Sequence, residues 1–243
     1  MSRIQEPQLV PFHTDILPCM ESPWLVFAPH PDDESIGMGG TLAKAAHLGI
    51  ATHLVVLTDG ALGGNHSDLV HIRQQEVRIA ARCLGIQSIR FIDEPDRGLV
   101  VSAALVQRLA ALISELKPAA VFFPGVQEFH PDHRNAALLV WQALQVLGAA
   151  APAAIAYEIT CQSPANCLVD ISAEVAVKQQ AIAAYPSQLN EKNYWELVQA
   201  LNKLRTLSLP ASVAWAEAFY RFSKADLQLS LADWARQRAA MML

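Results

Sequence analysis

The chain has 243 residues, of which 52% are hydrophobic and 17% charged. That is enough apolar material for a sizeable buried core and excludes wholesale disorder. Eighteen basic against 23 acidic residues leave a formal charge of −5, so the basic field that a nucleic-acid binder needs is missing.

Residues 1–19 contain Glu6 and Asp15 and no continuous apolar run, so they are not read as a signal peptide. We expect an N-terminal arm over 1–22 and a single domain over 23–243. The apolar run 24–28 predicts a first strand, followed by a helix over 39–48 that ends at Gly49. A second strand covers 53–58, and a glycine-bearing loop covers 59–66. Ser67 stands where an N-cap belongs, and Leu69, Ile72, Val77, Ala80, Ala81 and Leu84 recur at helical spacing up to Gly85. The third strand is predicted over 88–92, a helix headed by Ser102 runs to 116, and the fourth strand covers 120–123.

Residues 136–157 carry no charge and are long enough to span a bilayer. Gln142 and Gln145 interrupt the stretch, however, and Gly148 with Pro152 divides it into a helix and a strand of a soluble core. Further strands are expected over 154–159 and 168–171, then a helix to 184, a loop over 185–188, a helix over 191–207 and a strand within 213–222. Strands alternating with helices indicate a doubly wound α/β fold, a mostly parallel sheet with helices on both faces. Cys19, Cys83, Cys161 and Cys167 are widely spaced, which points to neither a disulfide framework nor a cysteine zinc site. The mild acidity is that of a cytoplasmic protein.

Two short loops carry the chemistry. Ala28-Pro29-His30-Pro31-Asp32-Asp33-Glu34 follows the first predicted strand, and His130-Pro131-Asp132-His133 follows the fourth. With this composition, His-Pro-Asp is expected about 0.02 times by chance, yet it occurs twice. In a doubly wound sheet, strands one and four flank the point where winding reverses, and their carboxyl ends open into the ligand crevice. His30 and Asp33 lie three apart in a tight loop. Together with one histidine of the second loop they supply two nitrogens and a carboxylate oxygen. Three protein ligands plus an open position make a catalytic zinc site, completed by water. Asp32, beside the ligands, is the candidate base. The remaining histidine of the second loop is placed to stabilise an oxyanion or protonate a leaving group. Asp32, Asp33 and Ser35 could instead merely cap a helix, but that reading ignores the second loop. A magnesium–nucleotide site of glycosyltransferase type would leave both second-loop histidines idle.

These two loops, Pro-His-Pro-Asp-Asp-Glu and His-Pro-Asp-His-Arg, resemble those of the LmbE-like, PIG-L-type de-N-acetylase family. That family includes deacetylases of N-acetylglucosaminyl-phosphatidylinositol and of mycothiol and bacillithiol synthesis. The resemblance implies one zinc held by His30, Asp33 and His133, with Asp32 as general base. It makes His130 the group that polarises the amide carbonyl or acts as acid, with Asp132 orienting His130 and keeping its pKa raised. Weaker matches, Thr58-Asp59-Gly60, Arg73-Gln-Gln-Glu76 and Pro95-Asp96-Arg97-Gly98, imply sugar contacts for Arg73 and Asp96. His66 lies in a loop at the same sheet edge, where it is either a further substrate contact or simply exposed to solvent. Tyr185-Pro-Ser-Gln188 and Ala216-Glu217-Ala218-Phe219 also look familial, with no chemistry assigned to them. The expected activity is removal of an acetyl group from an N-acetylated amino sugar, with a zinc amidase acting on another N-acyl compound or thiol conjugate as the alternative. The alanine-rich helices would fit a homo-oligomer interface as well as a core.

Overall fold

A computed structural model describes residues 14–240, with side chains for 16–237. Residues 1–13 of the expected arm lie outside the described residues. Thr14–Asp15 (β1) of the same stretch pairs in parallel with Cys167–Asp170 (β7). The first predicted strand is Trp24–Ala28 (β2), followed by Thr52–Thr58 (β3), Ser88–Glu94 (β4), Ala120–Pro124 (β5), Ala153–Tyr157 (β6) and Ala216–Phe222 (β8). All eight form one sheet in the order β1-β7-β8-β6-β5-β2-β3-β4.

The centre of the sheet follows the expected winding. β2 pairs in parallel with both β3 and β5. The chain therefore winds outward through β3 and β4 on one side and through β5 and β6 on the other. The crevice lies where β2 and β5 end side by side. β8 departs from the parallel pattern, inserting antiparallel between β6 and β7.

Strand residues alternate between two cores, as period-two geometry requires. Trp24, Val26 and Ala28 face one core with Leu54, Val56 and Phe122; Leu25 and Phe27 face the other with Val55, Leu57 and Phe123. Helices α1 (Asp33–His47), α2 (Leu69–Leu84), α5 (Val175–Ala183) and α7 (Tyr194–Leu204) pack together over the first core. Helices α3 (Ala103–Leu116) and α4 (Pro131–Leu147) cover the second, joined by Trp234 of α8 (Leu231–Ala240). Continuous apolar strands such as 24–28, every residue buried, suit a sheet covered on both faces.

Several boundaries differ from expectation for identifiable reasons. The first helix begins at Asp33 rather than 39, because a first turn precedes a break at Met38 (φ −140°, ψ 22°). The break leaves the Gly40 and Thr41 N–H groups to donate to the buried Glu217 carboxylate at 2.9 and 2.7 Å. Glu217 thus acts as a cap from a distant strand, and Lys178 balances its charge at 2.6 Å. Ser67 is not the cap of α2, which starts at Leu69 after Asp68 without a side-chain cap bond. Ser102 does cap α3, accepting from the Leu105 N–H. The expected loop at 185–188 contains a short helix, Pro186–Leu189 (α6). No helix among the described residues is long and apolar enough to cross a membrane.

Candidate active site

Both histidine loops leave the carboxyl ends of the paired central strands, so residues a hundred positions apart meet. The Pro29 carbonyl accepts the Thr58 N–H at 2.9 Å and the Thr58 hydroxyl at 2.8 Å, tying the first loop to the end of β3. In the second loop, Arg134 donates to the Glu128 and Phe129 carbonyls at 3.1 and 2.7 Å. His130 is the N-cap of α4, with Pro131 in the first turn, where a missing N–H costs nothing.

His30 Nδ1, Asp33 Oδ2 and His133 Nε2 form a nearly equilateral triangle. Its edges are 3.2 Å (His30–Asp33), 3.2 Å (His30–His133) and 3.3 Å (His133–Asp33). Ligand atoms about 2.0–2.2 Å from a tetrahedral zinc lie roughly 3.3–3.5 Å from one another, so the triangle and its donor set fit that ion. The outward nitrogens are also provided for. His30 Nε2 faces Asp132 Oδ2 at 3.1 Å and Asp96 Oδ1 at 3.4 Å, and His133 Nδ1 faces Glu128 Oε2 at 3.3 Å. Carboxylates on the far side of ligand histidines hold the rings in the binding tautomer.

The electrostatics point the same way. Burial would lower the His30 and His133 imidazoles, but the surrounding carboxylates overcome it, carrying His30 well above its usual value and His133 to about 9. Burial would also raise Asp33, yet the two histidines hold it far below the carboxylate range, and His30 draws Asp96 down to about 2. This cluster of anions holds positive charge tightly, and a divalent cation would displace the protons.

Asp32 stands apart. Its burial pushes the carboxyl up to about 7, against the pull of Arg73. Its backbone sits at φ 142°, ψ −24°, a conformation rare for a side-chain-bearing residue and costing on the order of 1–3 kcal/mol.

One expectation needs correction, and one alternative is settled. Asp132 does not orient the His130 ring. Its carboxylate faces His30 and accepts the Arg97 N–H at 2.7 Å and the Leu99 N–H at 3.3 Å. The His130 pKa is lowered rather than raised, by burial first and then by His30 and His133. Its Nδ1 accepts the Asp132 N–H at 3.2 Å. His66 is exposed, accepts the Asp68 N–H at 3.1 Å and does not line the cavity.

The expected site residues His30, Asp32, Asp33, Arg73, Asp96, His130 and His133 all line a cavity of about 490 Å³. The cavity is also lined by Tyr194, Leu197, Val198 and Leu201 of α7 and by Phe129 and Leu62. Sequence reading missed Glu128, which is fully buried and accepts the Ile159 N–H at 2.9 Å and the Thr160 N–H at 3.1 Å. The available signal was an acidic residue five before His133. It also missed α7 as a wall, for which no local motif exists.

A family model described as GlcNAc-PI de-N-acetylase (PIG-L) matches residues 25–144. Diacetylchitobiose deacetylase of Thermococcus kodakarensis is 30% identical over 207 residues, 76% of this chain and 76% of its own. The solved N,N'-diacetylchitobiose deacetylase of Pyrococcus horikoshii, complexed with an inhibitor, aligns with a TM-score of 0.77 and 25% identity over 86% of this chain and 87% of that one. A Pseudomonas putida 4-carboxy-2-hydroxymuconate hydratase aligns with a TM-score of 0.73 and 22% identity over 84% and 97%, so the fold alone does not choose the reaction. The sequence relationship does, since the family match contains both histidine loops and the Thermococcus enzyme is alike over 76% of each chain: this chain belongs to the PIG-L family of de-N-acetylases.

Proposed function

We propose that the chain is a zinc-dependent hydrolase that removes the acetyl group of an N-acetylated amino sugar, an N-acetylglucosamine conjugate. The observation that carries this reading is the 3.2–3.3 Å triangle of His30, Asp33 and His133 with the buried Asp32 beside it. Zinc held by those three residues supplies Lewis-acid polarisation of the amide carbonyl and of the attacking water.

The chain's own groups do the rest. Asp32, with a carboxyl near neutrality, takes a proton from the water as it attacks the acetyl carbon. His130 Nδ1 is occupied as an acceptor, so a neutral ring carries its proton on Nε2. That N–H donates to the carbonyl oxygen as negative charge develops there. Asp32 then passes its proton to the sugar nitrogen as the C–N bond breaks, leaving the free amine and acetic acid, which ionises to acetate. Asp132 and Glu128 hold the two histidine ligands, and Asp96 on the cavity wall meets the sugar hydroxyls.

The test is zinc content of protein purified without added metal, together with acetate release from N-acetylglucosamine and N,N'-diacetylchitobiose. About one zinc per chain with acetate released, both lost in His133→Ala, supports the reading. Zinc without acetate moves the substrate to another N-acyl compound. The apolar α7 wall favours that second reading, and product analysis separates the two. Failure to bind zinc even when it is added rejects the metal assignment.

A further inference from the structure

Leu62, Phe129 and Leu197 are large apolar side chains left 53%, 64% and 47% exposed. They come from the loop after β3, the loop after β5 and α7, yet all three line the catalytic cavity. Single exposed apolar residues are ordinary, but several gathered round one cavity mark a surface that a ligand covers.

α7 extends that surface inward. Tyr194, Leu197, Val198 and Leu201 stand at i, i+3, i+4 and i+7 and line the cavity, at the spacing with which a helix faces a core. Val198 is buried against the first core, Tyr194 and Leu201 are half-buried, and Leu197 is exposed. The stripe therefore runs from the core out to solvent.

Polar bonds fix the segments that carry these side chains. The Leu62 N–H donates to Asp96 Oδ2 at 3.0 Å, and the Phe129 carbonyl accepts from Arg134 at 2.7 Å. Near the end of α7, Asn202 Oδ1 accepts from Lys178 at 2.9 Å, and Arg205 Nε donates to Glu158 Oε2 at 3.0 Å. A surface fixed in advance binds with little ordering cost.

The acetyl end of the substrate does not account for this surface. An acetyl group brings one methyl, and its carbonyl must reach the buried His30, Asp33 and His133. Sugar hydroxyls suit the polar lining, Asp96, Arg97 and Gln188, because a hydroxyl set against leucine and phenylalanine loses its water without gaining a partner. The rim is left for the part of the conjugate beyond the sugar ring.

We propose that the apolar rim of Leu62, Phe129 and α7 is the subsite for the aglycone, and that the aglycone is an apolar alkyl or aryl group. This rests on the deacetylase reading and deepens it.

The experiment measures acetate release by the zinc-loaded protein from the methyl, hexyl and phenyl glycosides of N-acetylglucosamine, in both anomers. The hexyl and phenyl compounds should exceed the methyl about 10–100-fold in kcat/KM. The gain should lie chiefly in KM, because the aglycone is remote from the bond that breaks. Leu197→Gln and Phe129→Ser, at exposed positions, should each cut that preference about threefold or more, and the double variant should remove most of it. The ratio between glycosides is read within each variant, so a change in overall rate does not disturb it. Equal kcat/KM across the glycosides, or a preference that the double variant keeps, overturns the proposal. Faster hydrolysis of N-hexanoylglucosamine than of N-acetylglucosamine gives the rim to the acyl chain and also overturns it. So does a parent oligomer that the double variant breaks apart, since a second copy then covers the rim. Calorimetric binding of the hexyl and methyl 2-amino-2-deoxyglucosides, the products, needs no turnover. A hexyl preference there in a parent that releases no acetate refutes the deacetylase reading alone and leaves the subsite standing.

Discussion

The two faces of the sheet are built from different material. Beneath α3, α4 and α8, the core is apolar and aromatic. Trp141 meets Phe222 at 5.0 Å and Trp234 at 6.5 Å between ring centroids, and Tyr220 meets Trp234 at 5.0 Å. Beneath α1, α2, α5 and α7, buried charges run through the packing. Lys178 pairs with Glu217 and donates to Asn202 at 2.9 Å, Glu34 accepts from Ser35 and Tyr185, and Arg73 lies 3.3 Å from Asp32. The first face can be stable without further arrangement, whereas each charge on the second must be paired or leave a costly orphan. The networks set the position of α1 and α2, which carry Asp33 and Arg73, whereas His130, Asp132 and His133 enter the site from the start of α4, whose remaining turns pack on the aromatic core.

Substitutions that affect one face and spare the other would sharpen this contrast. The largest effect is expected for His133→Ala or for chelation of the metal, which should reduce acetate release to background while the melting transition of the aromatic core persists. Calorimetry paired with a zinc assay checks both halves. Trp141→Ala should cost about 3–5 kcal/mol in denaturant unfolding, with zinc affinity and turnover per folded chain unchanged. A kinetic defect there would mean that the faces are coupled. Lys178→Met leaves Glu217 buried without its cation and should cost a comparable 3–5 kcal/mol. Adding Glu217→Gln should recover part of that loss, because the amide oxygen still accepts one of the two α1 N–H groups. Glu128→Gln weakens the hold on His133 and should lower zinc affinity about 10–100-fold, measured by competition with a chelator, with little change in melting. The smallest effect belongs to Ser102→Ala, which removes the α3 cap and should cost about 1 kcal/mol with no effect on catalysis.

The candidate site was legible to the extent that it is local in sequence. His30, Asp32 and Asp33 occupy one turn, and His130 with His133 another, so residue type and spacing alone identify the ligand chemistry. The partners of those residues were not legible. Asp132 is adjacent to His133 in sequence and two residues from His130, and the family resemblance implied that it orients His130. The helix it begins turns its carboxylate toward His30, 102 residues away. Glu217 looked familial without a role because its partners, the Gly40 and Thr41 N–H groups, become free only through a break in α1. That break has no marker in the run Gly37-Met38-Gly39-Gly40 beyond its glycines.

The sequence by itself determined the alternation of strands and helices, the two-sided burial of the central strands, the positions of both histidine loops and the donor atoms available to a metal. These follow from periodicity, turn chemistry and residue type, all of which act over a few residues. Tertiary structure alone decided that β8 runs antiparallel between β6 and β7, that α7 closes the cavity, and which carboxylate faces which histidine. Pairing partners and side-chain direction depend on how distant elements pack, and packing energy is shared among residues that no local pattern connects. For Arg73, sequence specified a cation on α2, and the loops folded around it decided that it donates to the Pro31 and Gly60 carbonyls and lies 3.3 Å from Asp32.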